Sequence, residues 1–127
     1  MSPTCPSPDI GDLLSRWEES YKKGLLSFWL LLLLHERPAY AFEMNARVEA
    51  LSHGTISADE KSIYRALNRF EEIGVLNSEL QPSSQGPARR YYTLSTRGLH
   101  LLQCFIERNI LLFQDAEVEE RIRKVIT

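Results

Sequence analysis

The stretch from Ser57 to Gly98 constrains the fold more than any other part of the chain. It opens Ser57-Ala58-Asp59-Glu60, a Ser-x-x-Glu pattern in which the two side chains can satisfy the first free amides of a helix. Ile63, Leu67 and Phe70 come next at spacings of three and four, with Ala66 and Ile73 beside them, so one helical face points to a core. Gly74 is a natural stop, because glycine accepts the left-handed backbone that ends many helices. Two runs of strand composition lie beyond it, Val75–Leu80 and Arg90–Leu94. The polar segment Ser83-Ser84-Gln85-Gly86-Pro87 between them reads as a loop too long for a tight turn. Two strands alone are not stable in water and must lean on helices. A capped helix followed by a hairpin that packs on it is the order a winged helix-turn-helix requires.

The remaining segments fit around that unit. Met1 to Pro8, with three prolines, reads as a flexible tail, and Asp9 or Asp12 as the cap of the first helix. Ile10, Leu13, Leu14, Trp17 and Tyr21 share one helical face, and Lys22-Lys23-Gly24 reads as an end or bend. Leu25 to Leu34 is strongly apolar, but a membrane span needs about 20 such residues. His35-Glu36-Arg37-Pro38 stops the block at half that length, which makes it a buried helix and excludes a membrane partner. Ala41 to Leu51 reads as a helix with Phe42, Ala46 and Leu51 inward, and Ser52-His53-Gly54-Thr55 as a break. Thr96 is the expected cap of a last long helix whose apolar stripe runs through Leu99, Leu102, Phe105 and Ile106 to Ile110 and Phe113. A short charged helix closes the chain over Asp115–Ile126. The expected fold is mainly α with a small two-stranded β wing, a winged helix-turn-helix with flanking N- and C-terminal dimerisation helices. Its divisions are a tail at 1–8, an amphipathic helix at 9–23, the winged unit at 24–98 and the C-terminal dimerisation helix with its short terminal helix at 99–127.

The chain is one domain of 127 residues with a formal net charge of -2, which argues against a protein that coats nucleic acid indiscriminately. Residues 57–100 nonetheless carry a balance of +1, because Lys61, Arg65, Arg69, Arg89, Arg90 and Arg97 outnumber Asp59, Glu60, Glu71, Glu72 and Glu79. The two cysteines, Cys5 and Cys104, belong to no C-x-x-C pair, so neither a disulfide framework nor a zinc site is expected, and the compartment is a reducing, cytoplasmic one. Cys104 falls in an apolar helix and reads as a buried structural residue. His35, His53 and His100 are scattered, and no phosphate loop is present. No enzyme and no cofactor are expected.

Lys61, Arg65 and Arg69 lie four residues apart on the Ser57 helix, with Ser62 and Asn68 beside them. These side-chain types suit phosphates and base edges, although such a stripe on its own is also how a plain solvated face looks. Tyr64 can hold a phosphate through its hydroxyl or serve as a half-buried aromatic. Arg89 and Arg90 leave the Gly-Pro loop, where a ribbon tip can reach DNA or simply guard a strand edge. Helix, stop and basic hairpin in this order point to recognition of a double-stranded DNA operator. The small local charge requires two copies for useful specificity. Leu13 and Trp17, with Leu102, Phe105, Ile106, Ile110 and Phe113, are the candidate homodimer interface, because these helices are apolar on more than one side. The function expected is a sequence-specific regulator of transcription, a homodimeric repressor. The alternative is a winged-helix protein–protein interaction module with no direct DNA role, which the mild acidity favours.

Three segments resemble the PadR family of transcriptional regulators: Pro38 to Met44, Ser62 to Gly74 with Tyr64 on the family's tyrosine, and Gly86 to Gly98 in the wing. The resemblance covers about residues 22–113 and implies a homodimeric winged-helix repressor of the short subgroup, dimerised through its last long helix and N-terminal helical structure. It also implies a possible small-molecule effector, of unknown identity. Ala41 and Phe42 stand where the family usually has glycine and tyrosine.

Overall fold

The computed structural model describes residues 7–127. The expected tail therefore lies outside the described residues except for Ser7 and Pro8, as does Cys5. Ser7 caps the first helix, α1 (Pro8–Glu36), and its hydroxyl accepts from the Ile10 amide; neither Asp9 nor Asp12 is the cap. Proline at the first helical position loses no hydrogen bond, since that amide has no partner within a helix. The expected break at Lys22-Lys23-Gly24 does not occur: α1 runs on for 29 residues, about 43 Å. Gly24 lies between good helix formers, and one glycine costs only about 1 kcal/mol in a helix interior.

The apolar block forms the second half of α1, where Leu30, Leu31, Leu33 and Leu34 are buried. Around them pack α2 (Ala41–Leu51), through Ala41, Met44 and Val48, and α3 (Glu60–Glu72), through Ile63, Ala66 and Leu67. Phe42 is 71% exposed, and Ala46 and Leu51 also face solvent. The inward face of α2 is therefore Ala41, Met44 and Val48 rather than the one expected, and Glu43 caps the start of the helix. Its carboxylate accepts from the Tyr40 amide at 3.3 Å and from Arg37 Nη1 at 3.1 Å.

The α2–α3 turn is built on polar ties. The buried Ser52 hydroxyl accepts from the Ile56 amide, and Asn45 Oδ1 accepts from the Ala58 amide at 3.2 Å. The second tie keeps residue 58 out of the helix. The cap is consequently Asp59, whose carboxylate accepts from the Ser62 amide at 2.7 Å, and not Ser57. Gly74, at a φ of 80°, ends α3 as expected, while Ile73 is exposed rather than part of the core.

The wing is tighter and better supported than the sequence suggests. Strands β2 (Leu76–Ser83) and β3 (Gly86–Leu94) pair antiparallel across the two residues Ser84 and Gln85. A third strand, β1 (Ala39–Tyr40), pairs with Tyr91 and Tyr92 of β3, so the sheet has three strands in the order β1-β3-β2. Helix α4 (Thr96–Phe105) is capped by Ser95, not Thr96. The Ser95 hydroxyl accepts from the Gly98 amide and donates to the Gly74 carbonyl at 2.6 Å. Gly98 is obligatory, because a Cβ there would sit 2.1 Å from the Val75 carbonyl oxygen.

The expected long last helix is interrupted. After Phe105 comes a π-helical turn, Ile106–Ile110, and then a 3-10 segment, Leu111–Gln114. At that turn the Asn109 side-chain Nδ2 donates to the Phe105 carbonyl at 3.2 Å, an alternative to the regular backbone ladder. Asp115 then caps α5 (Ala116–Ile126) by accepting from the Glu117 and Val118 amides. Phe28 of α1 stacks on Phe105 at 5.6 Å and ties the two terminal regions together.

Candidate nucleic-acid interface

A helix turns about 100° per residue, so the buried Ile63, Ala66 and Leu67, with the partly buried Phe70, fix the outward face of α3. Lys61, Arg65 and Asn68 lie opposite the core and are exposed. Arg69 and the half-buried Ser62 lie on one flank; Tyr64 and Glu71 lie on the other, toward the wing. Among the described residues, no carboxylate lies within ion-pair distance of Lys61, Arg65, Arg69, Arg89 or Arg90. Their charge is therefore available to an outside anion. The Ser62 amide and hydroxyl hold the Asp59 carboxyl below its ordinary range, which keeps the cap ionised at the start of the helix.

The wing arginines are not at the ribbon tip, as the sequence suggested. Arg89 pairs with Gln81 and Arg90 with Leu80, several residues from the Ser84-Gln85 turn. Adjacent strand residues point to opposite faces, and these two are held differently. The Arg89 guanidinium lies over the Tyr40 ring, 4.5 Å from its centre, while Tyr40 meets Tyr91 edge-on. Arg90 donates to the Ser78 hydroxyl at 2.9 Å, and that hydroxyl donates to the Glu71 carboxylate of α3. Beside this chain, the Tyr92 hydroxyl donates to Asn68 Oδ1 at 3.2 Å. Burial, with the Glu71 carboxylate nearby, pushes the Tyr92 phenol above its ordinary value and keeps it protonated.

Between α3 and the hairpin lies a groove of about 620 Å³, lined by Tyr40, Phe42, Tyr64, Leu80 and both wing arginines. Residue patterning gives no hint of Phe42 in this place, since it reads as an inward residue of its helix, and Leu80 carries no signal beyond strand composition. Tyr40 and Tyr92 also escape a reading by pattern.

The candidate dimer residues divide. Leu13 and Trp17 project from the first half of α1, with Trp17 75% exposed. Phe113 is exposed, and Phe105, Ile106 and Ile110 are half-buried. Phe105, Ile110 and Phe113 line an apolar hollow of about 340 Å³ with Tyr21 and Leu25 of α1. Leu102 is a correction: at 3% exposure it belongs to the protomer's own core and leaves nothing for a partner, because α4 packs that side against the winged unit. Cys104 is exposed, not buried as expected. Among the described residues no His, Cys, Asp or Glu cluster could hold a metal, and no helix is long and apolar enough to cross a membrane.

A family profile, transcriptional regulator PadR-like, matches residues 30–103. A PadR-like transcription factor structure from Bacteroides fragilis is 28% identical, over 87% of this chain and 98% of that one, with a TM-score of 0.59. A padr family regulator from Eggerthella lenta is 24% identical, over 85% and 92%, with a TM-score of 0.70. Bacillus subtilis PadR, solved in complex with operator DNA, is 19% identical over 67% of this chain and 48% of that one, with a TM-score of 0.62; that likeness is one of fold. No curated protein sequence matches the chain.

Proposed function

This chain belongs to the PadR-like family of transcriptional regulators, and from that premise we propose that it is a sequence-specific, DNA-binding repressor that works in the cytoplasm as a homodimer. The carrying observation is the set of unpaired cations on the outward face of α3 and on the wing. Helix α3 enters the major groove, where Lys61, Arg65, Asn68 and Arg69 meet base edges and phosphates and Ser62 supports them from the flank. Tyr64 donates to a phosphate from the groove side. Arg89 and Arg90 contact the DNA backbone from the wing, Arg89 pre-set by its stacking on Tyr40. That a fold relative is solved with operator DNA supports this reading.

Two copies join through the exposed apolar faces of α1 and the C-terminal segment. Leu13 and Trp17 meet the partner, and Phe113 with its neighbours Phe105, Ile106 and Ile110 completes the surface. Dimerisation doubles a small local positive charge and presents two reading helices to one operator. A gel-shift titration of the Arg65→Ala, Arg69→Ala double variant tests the DNA role: operator binding should collapse, and unchanged binding overturns the reading.

The net charge of -2 favours a second reading, a winged-helix protein–protein interaction module. Salt separates the two. DNA binding weakens steeply as salt rises, through counterion release, whereas an apolar protein interface does not.

A further inference from the structure

Asn68 differs from every other residue on the outward face of α3, because its side-chain oxygen already has a partner inside the protein. That partner, Tyr92, is 1% exposed, and only its hydroxyl reaches the helix surface. A carboxamide has one acceptor oxygen and an NH₂ group with two donors. With Oδ1 turned toward the phenol proton, the NH₂ edge is the part left to face outward. The phenol has little freedom to leave. The hairpin that carries it is held to α3 by the adjacent Arg90–Ser78–Glu71 chain, and its backbone pairs with both β1 and β2.

The usual reading of adenine by asparagine needs both ends of the amide at once, the oxygen accepting from N6 and the nitrogen donating to N7. The oxygen keeps a second lone pair, but an amide turned so that its oxygen meets the buried phenol does not present both of its atoms to one base, which disfavours that fork. The two N–H groups of the amide instead suit a base with adjacent acceptors, and guanine offers N7 and O6 in the major groove.

We propose that Tyr92 is a specificity-determining positioning residue, which orients the Asn68 amide so that α3 prefers guanine over adenine at the base facing residue 68. The inference rests on α3 reading the major groove. Tyr92 itself touches no DNA; it acts through Asn68.

The test uses the full chain and a random duplex pool, from which the bound sequence is selected and then varied base by base. Asn68→Ala should flatten the preference at one base pair per half-site, a pair at which the wild type selects guanine. Tyr92→Phe removes only the hydroxyl, and should shift that same pair toward adenine by about 5- to 150-fold, the range of one well-placed base contact. Asn68→Asp keeps an oxygen for Tyr92 but presents an acceptor outward, so preference should move to cytosine, whose N4 donates. This arm stands even if the Tyr92 variant folds poorly. Val48→Ala, a buried change on α2 rather than on α3 or the wing, should lower affinity for all bases alike. Guanine retained in Tyr92→Phe or in Asn68→Asp, or adenine selected by the wild type, overturns the inference while the DNA role stands. An Asn68→Ala variant with unaltered preferences also overturns it. Failure of the wild type to select any sequence sinks the DNA role itself.

Discussion

On α1 and α5, cations are paired with carboxylates one helical turn away: Arg16 with Asp12, Lys22 with Glu18, Arg123 with Glu119 and Lys124 with Glu120. On α3 the same spacing of four carries Lys61, Arg65 and Arg69 with no carboxylate among them. The apolar residues are arranged the other way round. Helix α3 buries its Ile63 and Leu67, whereas α1 leaves Leu13, Trp17 and Tyr21 in solvent. Like charges one turn apart destabilise an isolated helix by about 0.2–0.5 kcal/mol per pair. Such repulsion is useful where a polyanion will neutralise it. Charge-neutral, apolar-rich surface suits a protein partner instead. One periodicity thus serves two surfaces, and the identity of the residue one turn away decides which.

The largest expected effect breaks both surfaces at once. Gly98→Ala would force a Cβ against the Val75 carbonyl, where α4 joins the wing. Denaturant unfolding should show a loss of about 3 kcal/mol, the upper range for overpacking a core. Next comes Arg65→Ala, which touches only the α3 surface. Affinity for the selected duplex should fall by about 1–3 kcal/mol if it reads a base, or the log–log salt slope by about 1 if it holds a phosphate, with the fold unchanged. Trp17→Ala addresses the opposite surface. Sedimentation should show dimerisation weakened by about 1.5 kcal/mol, the scale of burying a large apolar side chain, with little salt dependence.

A smaller effect is acid-dependent. The folded state holds the Asp59 carboxyl below its ordinary value of 3.8. The stabilisation this represents is complete above that pH and disappears as the pH falls below it. Thermal melts of Asp59→Asn should lack this part of the acid sensitivity. At the bottom of the scale is Arg123→Ala. Its ion pair is exposed, so unfolding free energy should change by less than about 0.5 kcal/mol. A large loss there would show that the pairing on α5 is structural and would undo the contrast between α5 and α3.

Much of the α3 surface was legible from residue spacing. The apolar positions of that helix, the Gly74 stop and the outward Lys61, Arg65 and Arg69 all obey a 3.6-residue period. The wing was legible in order but not in form. Two residues of β1 are too few to show a pattern, and the tight Ser84-Gln85 turn lay inside a segment whose polarity suggested a longer loop. Caps were displaced by one or two positions wherever several capping residues stood together. Ser57 and Asp59 are equivalent by type, and the Asn45–Ala58 hydrogen bond selects between them. Leu102 and Phe42 show the same limit in packing, since a helix apolar on more than one side does not announce which side meets its own core.

The sequence by itself determined the order α2, α3, β2, β3 and α4, and which face of α3 carries the unpaired positive charge, because these depend on neighbours within one or two turns. Only the tertiary structure decided that α1 is one continuous helix, that Leu102 faces inward, and that Arg89 rests on Tyr40. It alone joined Tyr92 to Asn68, 24 residues apart in the chain. Such contacts arise from how elements pack on one another, and a local pattern of residues carries no record of the distance between partners that only folding brings together.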